Sequence, residues 1–205
     1  MKKELTNIQQ NRRNEIVLAL EKLYKKKGLK DITIKDIAKE TTFTRASIYN
    51  YYETKEEIFL DLYTKEFEKW TEELELLLHS KEKLTKKYFI EYASKSLEKR
   101  EQLLKLMSMN NYDMEENSRL EFLVEFKKVF INCINTFSEI LIKYDKKYNK
   151  ESAERVTYAF FPFIYGLYPY SHVTPKQKKA MDKAGHKWQN NTTYKLTYNF
   201  LNEIL

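Results

Sequence analysis

Glycine and proline are nearly missing from this chain. Only Gly28, Gly166 and Gly185, and Pro162, Pro169 and Pro175, occur among 205 residues, where average usage gives about 14 and about 10. Sheet-and-loop architectures depend on those residues at their turns, so the scarcity argues against them. Phosphate-cradling nucleotide folds need clustered glycines, and no two here lie within fifteen residues of each other, which excludes Rossmann and P-loop readings. One cysteine, Cys133, rules out an internal disulfide. His79, His172 and His186 have no partner at ligand spacing, so no metal is expected. A nucleophile turn of the Gly-x-Ser-x-Gly kind is absent, and the adjacent pairs Glu56-Glu57, Glu72-Glu73 and Glu115-Glu116 point to different sides of a helix. Neither an enzyme nor a cofactor is implied. The longest near-apolar stretch, Val156 to Tyr170, is interrupted by Thr157, Pro162, Gly166 and Pro169 and falls short of the roughly 18 to 20 residues of a spanning helix. With a polar start from Met1 to Glu15, these features predict a cytoplasmic protein with no membrane contact.

What is present is charge, 33% of residues, and aromatic side chains, 15%, a balance that predicts a folded chain. The net charge of +7 is uneven. Residues 1 to 55 carry 13 Lys and Arg against 7 Asp and Glu, whereas residues 56 to 205 carry 24 against 23. A basic segment on a nearly neutral body is the footprint of a protein that docks on phosphates, because neutralising them releases condensed counterions.

Apolar spacing predicts helices throughout. Ile16, Leu20, Leu23 and Tyr24 place one helix over 13–27, with Gly28 as a left-handed stop after Lys25, Lys26 and Lys27. Thr33-Ile34-Lys35-Asp36 is a capping pattern opening a short helix to about Glu40. The hydroxyl-rich Thr41-Thr42-Phe43-Thr44 makes a turn, and Thr44 caps a third helix with Ile48 and Tyr52 facing inward. Thr54-Lys55-Glu56-Glu57 opens a long helix to His79. Further helices are expected near 82–97, 100–110, 118–145, 151–168 and 188–204, about nine in all, with Pro169 ending the eighth and a loop over 171–187 that has room for one short helical turn. The fold class is all-α, divided into an N-terminal three-helix DNA-binding domain (1–55) and a helical effector-binding and dimerisation domain (56–205).

Two short helices joined by about four residues, propped by a third and rich in positive charge, describe a helix-turn-helix, whose second helix enters the DNA major groove. That helix reads Thr44-Arg45-Ala46-Ser47-Ile48-Tyr49-Asn50-Tyr51-Tyr52. With Ile48 and Tyr52 inward, Arg45, Ala46, Ser47, Asn50 and Tyr51 are left toward a duplex. Arginine reads guanine, asparagine reads adenine, and a methyl group suits thymine.

The stretch Ile16 to Phe59 resembles the N-terminal domain of the TetR family of bacterial transcriptional regulators. Leu23-Tyr24 and Gly28 match the end of its first helix, Thr33 through Ile37-Ala38 its Thr-x-x-x-Ile-Ala, and Ile48-Tyr49-Asn50-Tyr51-Tyr52-Glu53-Thr54-Lys55 the tail of its recognition helix. Thr42 and Thr44 stand where the family usually has glycine and serine, so the turn should depart locally from the usual form, and Tyr51 replaces a common histidine. The resemblance implies phosphate contacts from Thr33, Lys35, Tyr49 and Lys55, and base reading by Arg45, Ala46, Ser47 and Asn50, with Thr44 as cap and Tyr51 offering its phenol to phosphate. It also implies a homodimer through residues 151–168 and 188–204. There Tyr158, Phe161, Tyr165 and Tyr168, and Tyr194, Tyr198, Leu201 and Leu205, form aromatic-rich stripes of the sort enriched at interfaces, though such stripes more often belong to ordinary core. A small-molecule effector is implied too, with Met107, Asn110, Tyr112, Phe126, Phe130, Phe161 and Tyr165 as candidate contacts. The reading is a repressor released from a palindromic operator by that effector. The alternative is a DNA-binding protein of the same fold whose C-terminal body contacts another protein.

Overall fold

The protein is described by a computed structural model covering residues 7–81, 83–109, 111–187 and 189–205, the side chain of Asn111 apart. Among the described residues there are eleven α-helices and no strand. They are α1 (Asn7–Tyr24), α2 (Ile34–Lys39), α3 (Arg45–Ile48), α4 (Lys55–His79), α5 (Lys86–Glu98), α6 (Glu101–Met107), α7 (Asn111–Glu116), α8 (Leu120–Tyr144), α9 (Lys150–Ser171), α10 (Pro175–Lys183) and α11 (Thr193–Ile204). Hydroxyl and amide side chains start most of the shorter ones. Thr33, Thr44, Thr85, Asn149, Thr174 and Thr192 each accept a bond from a first-turn backbone N–H, satisfying a donor that the helix itself leaves open.

The chain divides into two compact units. The first comprises residues 1–66 and 110–129, the second 67–109 and 130–205. In the first, α1 buries Ile16, Val17, Leu20 and Tyr24, the last meeting Phe59 edge-on at 5.3 Å between ring centroids. Tyr63 stacks on Phe126 at 4.8 Å. In the second unit, α11 packs on α5 and α9, and α6 packs on α9. Its core is aromatic: Phe137 stacks on Phe160 at 4.6 Å, Phe161 meets Phe130 edge-on, and the buried Trp70 indole donates to Ser96 Oγ at 3.1 Å.

Two expectations are corrected, at Gly28 and at Pro169. The described helices number eleven against about nine, since α7 is added and α10 fills the 171–187 segment as more than a single turn; α10 buries none of its residues, so it has no apolar stripe of the kind that periodicity detects. Gly28 is extended, at φ −81° and ψ 163°, and caps a 3₁₀ turn over Leu29–Asp31; α1 closes instead through bonds from the Lys26 and Lys27 N–H groups to the Leu23 carbonyl. Pro169 does not end α9, which runs to Ser171. Proline lacks the N–H that would reach the Tyr165 carbonyl, but the next turn still closes, the Ser171 hydroxyl donating to the Leu167 carbonyl at 2.9 Å and the His172 N–H to that of Tyr168. Of the two C-terminal stripes, which serve as core or as interface, Phe161 and Leu201 lie buried in the core and Tyr158 is 65% exposed.

Candidate nucleic-acid interface

The second helix of the helix-turn-helix is short and held from both ends. Thr44 Oγ1 accepts the Ser47 N–H at 3.1 Å and lies 2.9 Å from Ser47 Oγ. Beyond Ile48 the chain keeps turning through bonds from the Tyr51 and Tyr52 N–H groups to the Ile48 carbonyl. On its inner side Ile48 and Tyr52 are fully buried, and on its outer side Arg45, Ala46, Tyr49 and Asn50 are exposed, with Ser47 and Tyr51 half-buried. Arg45 Nη2 donates to the Tyr49 phenol at 3.1 Å and its guanidinium lies over the same ring, so these two project as one unit.

The turn before α3 contains no residue of positive φ. Instead Glu15, on α1, accepts both the Thr42 N–H at 2.7 Å and the Thr42 hydroxyl at 2.8 Å through Oε1. These bonds, the backbone one foremost, hold the Glu15 carboxyl below its ordinary range. Thr41 Oγ1 donates to the Ala38 carbonyl and accepts the Phe43 N–H. Threonine can stand where a glycine would because the turn has no positive φ to demand one, and a carboxylate from the supporting helix holds it there.

The remaining assigned residues divide by how they are engaged. Lys35 and Thr33 are exposed, and Thr33 forms a reciprocal capping box with Asp36. Lys55 is half-buried, its ammonium donating to the carbonyls of Leu29 at 3.1 Å and Ile32 at 3.4 Å. The side chain that the resemblance assigned to phosphate thus also ties α4 to the 3₁₀ turn.

Two buried ionic groups fix this head and escaped the sequence reading. Arg13 donates through Nε and Nη2 to Asp61 Oδ2 at 3.2 and 3.0 Å, and the Tyr52 phenol donates to the same oxygen. Burial disfavours the Arg13 charge, but Asp61 and the Tyr52 oxygen outweigh it and raise its pKa, while burial together with Asp61 pushes the Tyr52 phenol well up. Position 13 lies three residues before Ile16 on the apolar stripe, and that phase was the available signal. Glu57 is fully buried. Its carboxylate accepts Arg119 Nε at 2.7 Å, Arg119 Nη2 at 2.9 Å, and the N–H groups of Arg119 at 3.1 Å and Glu53 at 2.7 Å. Burial works against its charge, yet these donors outweigh it and the pKa falls below the usual carboxylate value. Arg119 Nη2 also donates to the Tyr51 carbonyl at 3.1 Å, so one guanidinium holds the end of the recognition segment to the start of α4. The capping pattern at Thr54 marked Glu57, but nothing local in sequence pairs it with position 119.

The residues assigned to an effector fall in different units. Phe126, buried against Tyr63, and Tyr112, 82% exposed on α7, belong to the first. Met107, Phe130, Phe161 and Tyr165 belong to the second, where Met107 and Phe161 are buried and Phe130 and Tyr165 half-buried. Asn110 lies outside the described residues. Among the described residues no group of three or more His, Cys, Asp or Glu could hold a metal, and no helix is long and apolar enough to cross a membrane.

The model for bacterial regulatory proteins of the tetR family matches residues 16–62, and that for the tetracyclin repressor-like C-terminal domain matches residues 64–189. The chain belongs to the TetR family. It is a DNA-binding transcriptional regulator of a family whose members bind DNA as dimers and are not enzymes. Two solved structures share the fold of this TetR-family protein. The fatty acid degradation regulator FadR from Bacillus halodurans superposes with a TM-score of 0.55 at 13% identity over 92% of this chain and 96% of its own. A putative TetR-family transcriptional regulator from Mesorhizobium loti MAFF303099 gives 0.55 at 15% identity over 96% of each chain. No curated protein matches significantly.

Proposed function

We propose that this regulator is a cytoplasmic repressor that binds a near-palindromic operator as a homodimer and leaves it when a small molecule binds its second unit. The observation that carries the reading is the two-sidedness of residues 44–52: Ile48 and Tyr52 are fully buried, while Arg45, Ala46, Tyr49 and Asn50 stand exposed without a carboxylate among them. Arg45, Ala46, Ser47 and Asn50 read base edges. Thr33, Lys35, Tyr49 and Lys55, with Thr44 at the helix start, fix the register on phosphates.

The dimer forms through α9 and α11. Support comes from the outer face of α9, where Tyr158 and Tyr170 are each 65% exposed and Ala159, Pro162, Gly166 and Pro169 between them are exposed and uncharged. A contiguous uncharged face of this kind belongs to interfaces more than to solvated surface. Two-fold pairing sets the recognition segments about 34 to 36 Å apart, one helical turn of DNA. The effector contacts that fall within one unit, Met107, Phe130, Phe161 and Tyr165, form an aromatic and methionine set suited to a flat apolar or cationic molecule.

Selection of bound duplexes from a random pool tests the reading. A recovered inverted repeat, bound less tightly as salt rises and released by a member of a panel of lipophilic cations, dyes and acyl-CoAs, is the expected outcome. Recovery of no sequence by the full chain would overturn it.

A further inference from the structure

Arg12 and Arg13 are neighbours with opposite environments. Arg13 is buried and paired with Asp61. Arg12 is exposed, and among the described residues no carboxylate pairs with it. It is nevertheless held by two aromatic residues from two other segments of the head. Its guanidinium lies over the Phe43 ring, 5.7 Å from the centroid, and its Nη1 donates to the Tyr51 phenol at 3.2 Å. Phe43 stands in the turn before the recognition helix and Tyr51 at that helix's end. The helix that carries Arg12 has no acidic residue from Asn7 to Asn14, and its first turns present Gln10 and Asn11 to solvent.

An exposed arginine held in place without an anion carries its full charge toward whatever approaches. The Phe43 ring and the Tyr51 phenol together hold the guanidinium in place, and one phenol oxygen occupies only one of its five donors. We infer that Arg12 is a DNA-backbone contact of this regulator, a planar clamp on one phosphate per head, and that Phe43 and Tyr51 are its mount. Tyr51 then serves DNA binding through Arg12, not through a phosphate of its own. The inference rests on the DNA-binding reading above and adds a residue that the resemblance did not assign.

The test uses the full chain and a duplex selected from a random pool by the wild-type protein, titrated by fluorescence anisotropy between 50 and 200 mM salt. Each neutralised phosphate adds about 0.9 to the slope of log affinity against log salt. With one phosphate left unclamped in each of two heads, Arg12→Ala lowers the slope by about 1.8. Wild type therefore weakens across that interval about 12-fold more than the variant does. Melting temperature is unchanged, since Arg12 holds no core group. Arg12→Lys keeps the slope but binds severalfold more weakly, having charge without a plane. Tyr51→Phe weakens binding in the wild-type background and adds nothing in the Arg12→Ala background. A wild-type slope for Arg12→Ala, with wild-type protein binding normally, overturns the clamp and leaves the DNA-binding reading standing. Further weakening of Arg12→Ala by Tyr51→Phe overturns the mount. Failure of wild-type protein to retain any duplex fails the underlying reading instead.

Discussion

Replacing Arg119 by alanine tests whether a single guanidinium holds the recognition segment to α4. The side chain supplies two charge-assisted hydrogen bonds to Glu57 and one to the Tyr51 carbonyl, and it lies 5.0 Å from the Phe122 ring centroid. Glu57 has no solvent exposure, so the variant leaves a buried carboxylate with only its two backbone donors. Stranding one partner of a fully buried pair costs about 3 to 5 kcal/mol. The Arg119 side chain is 34% exposed, and water entering the vacated space restores part of that stability, leaving a cost of about 2 to 3 kcal/mol. For a chain of this size that corresponds to a fall in Tm of roughly 5 to 10 °C. Calorimetry of wild type, Arg119→Ala, Glu57→Gln and the double variant reads it directly, with the double variant expected to melt close to the worse single one. An Arg119→Ala Tm within about 1 °C of wild type, or fully additive single effects, would refute the coupling. The acid limb supplies a second reading. The folded pKa of Glu57 is depressed, so its contribution is complete above the ordinary carboxylate value of about 4.3 and is lost as pH falls through the lower folded value. The Tm gap between wild type and Glu57→Gln should therefore close below about pH 4.

Further outcomes follow from the same geometry. Arg45→Ala should relax sequence preference at one operator position per half-site, whereas Lys55→Ala should weaken all sequences alike, lower the salt slope by about one unit per head, and also lower Tm by a few degrees, because its ammonium holds the Leu29 and Ile32 carbonyls; selection and melting separate the two. Phe137→Ala, which removes a ring packed between Phe89, Phe160 and Phe161, should cost about 3 to 5 kcal/mol in denaturant titration. Burial pushes the Cys133 thiol up to about 12, so a disulfide reagent at mildly alkaline pH should label it only after denaturant is added; rapid labelling of the native chain would place it elsewhere.

The fold was legible where amphipathic period and capping residues coincide, and illegible where only one of them was present. The capping box at Thr33 and the inward phase of Ile48 and Tyr52 stand in the structure as their spacing requires. The helix α10 carries an equally complete start signal, Thr174, Pro175 and Gln177, yet buries nothing, so the apolar pattern that confirms a helix was missing. At Pro169 a breaker signal fails for the opposite reason: proline removes one intrahelical bond, and the residues after it still close the turn through Ser171 and His172. The ionic contacts of the head, Glu15 with Thr42 at 27 residues' separation and Arg119 with Glu57 at 62, carry no local periodicity at all. Charges that are exposed in an isolated helix become structural only through the tertiary approach of another segment.

That contrast bears on how the turn of a helix-turn-helix can dispense with glycine. A left-handed glycine at such a turn redirects the chain without needing a partner. Here the chain turns without positive φ, and the Thr42 N–H is directed at the Glu15 carboxylate. The arrangement makes the turn conditional on α1. Removing the charge in Glu15→Gln leaves a weaker, neutral acceptor in reach, whereas Glu15→Ala leaves the Thr42 N–H to water and frees the turn to sample other conformations. Alanine should then weaken operator binding severalfold more than glutamine, with sequence preference unchanged, because the residues that read the duplex remain while their angle to the supporting helix does not. Equal weakening by both, read on the same selected duplex, would mean that Glu15 acts through its charge near DNA and not through the Thr42 bond.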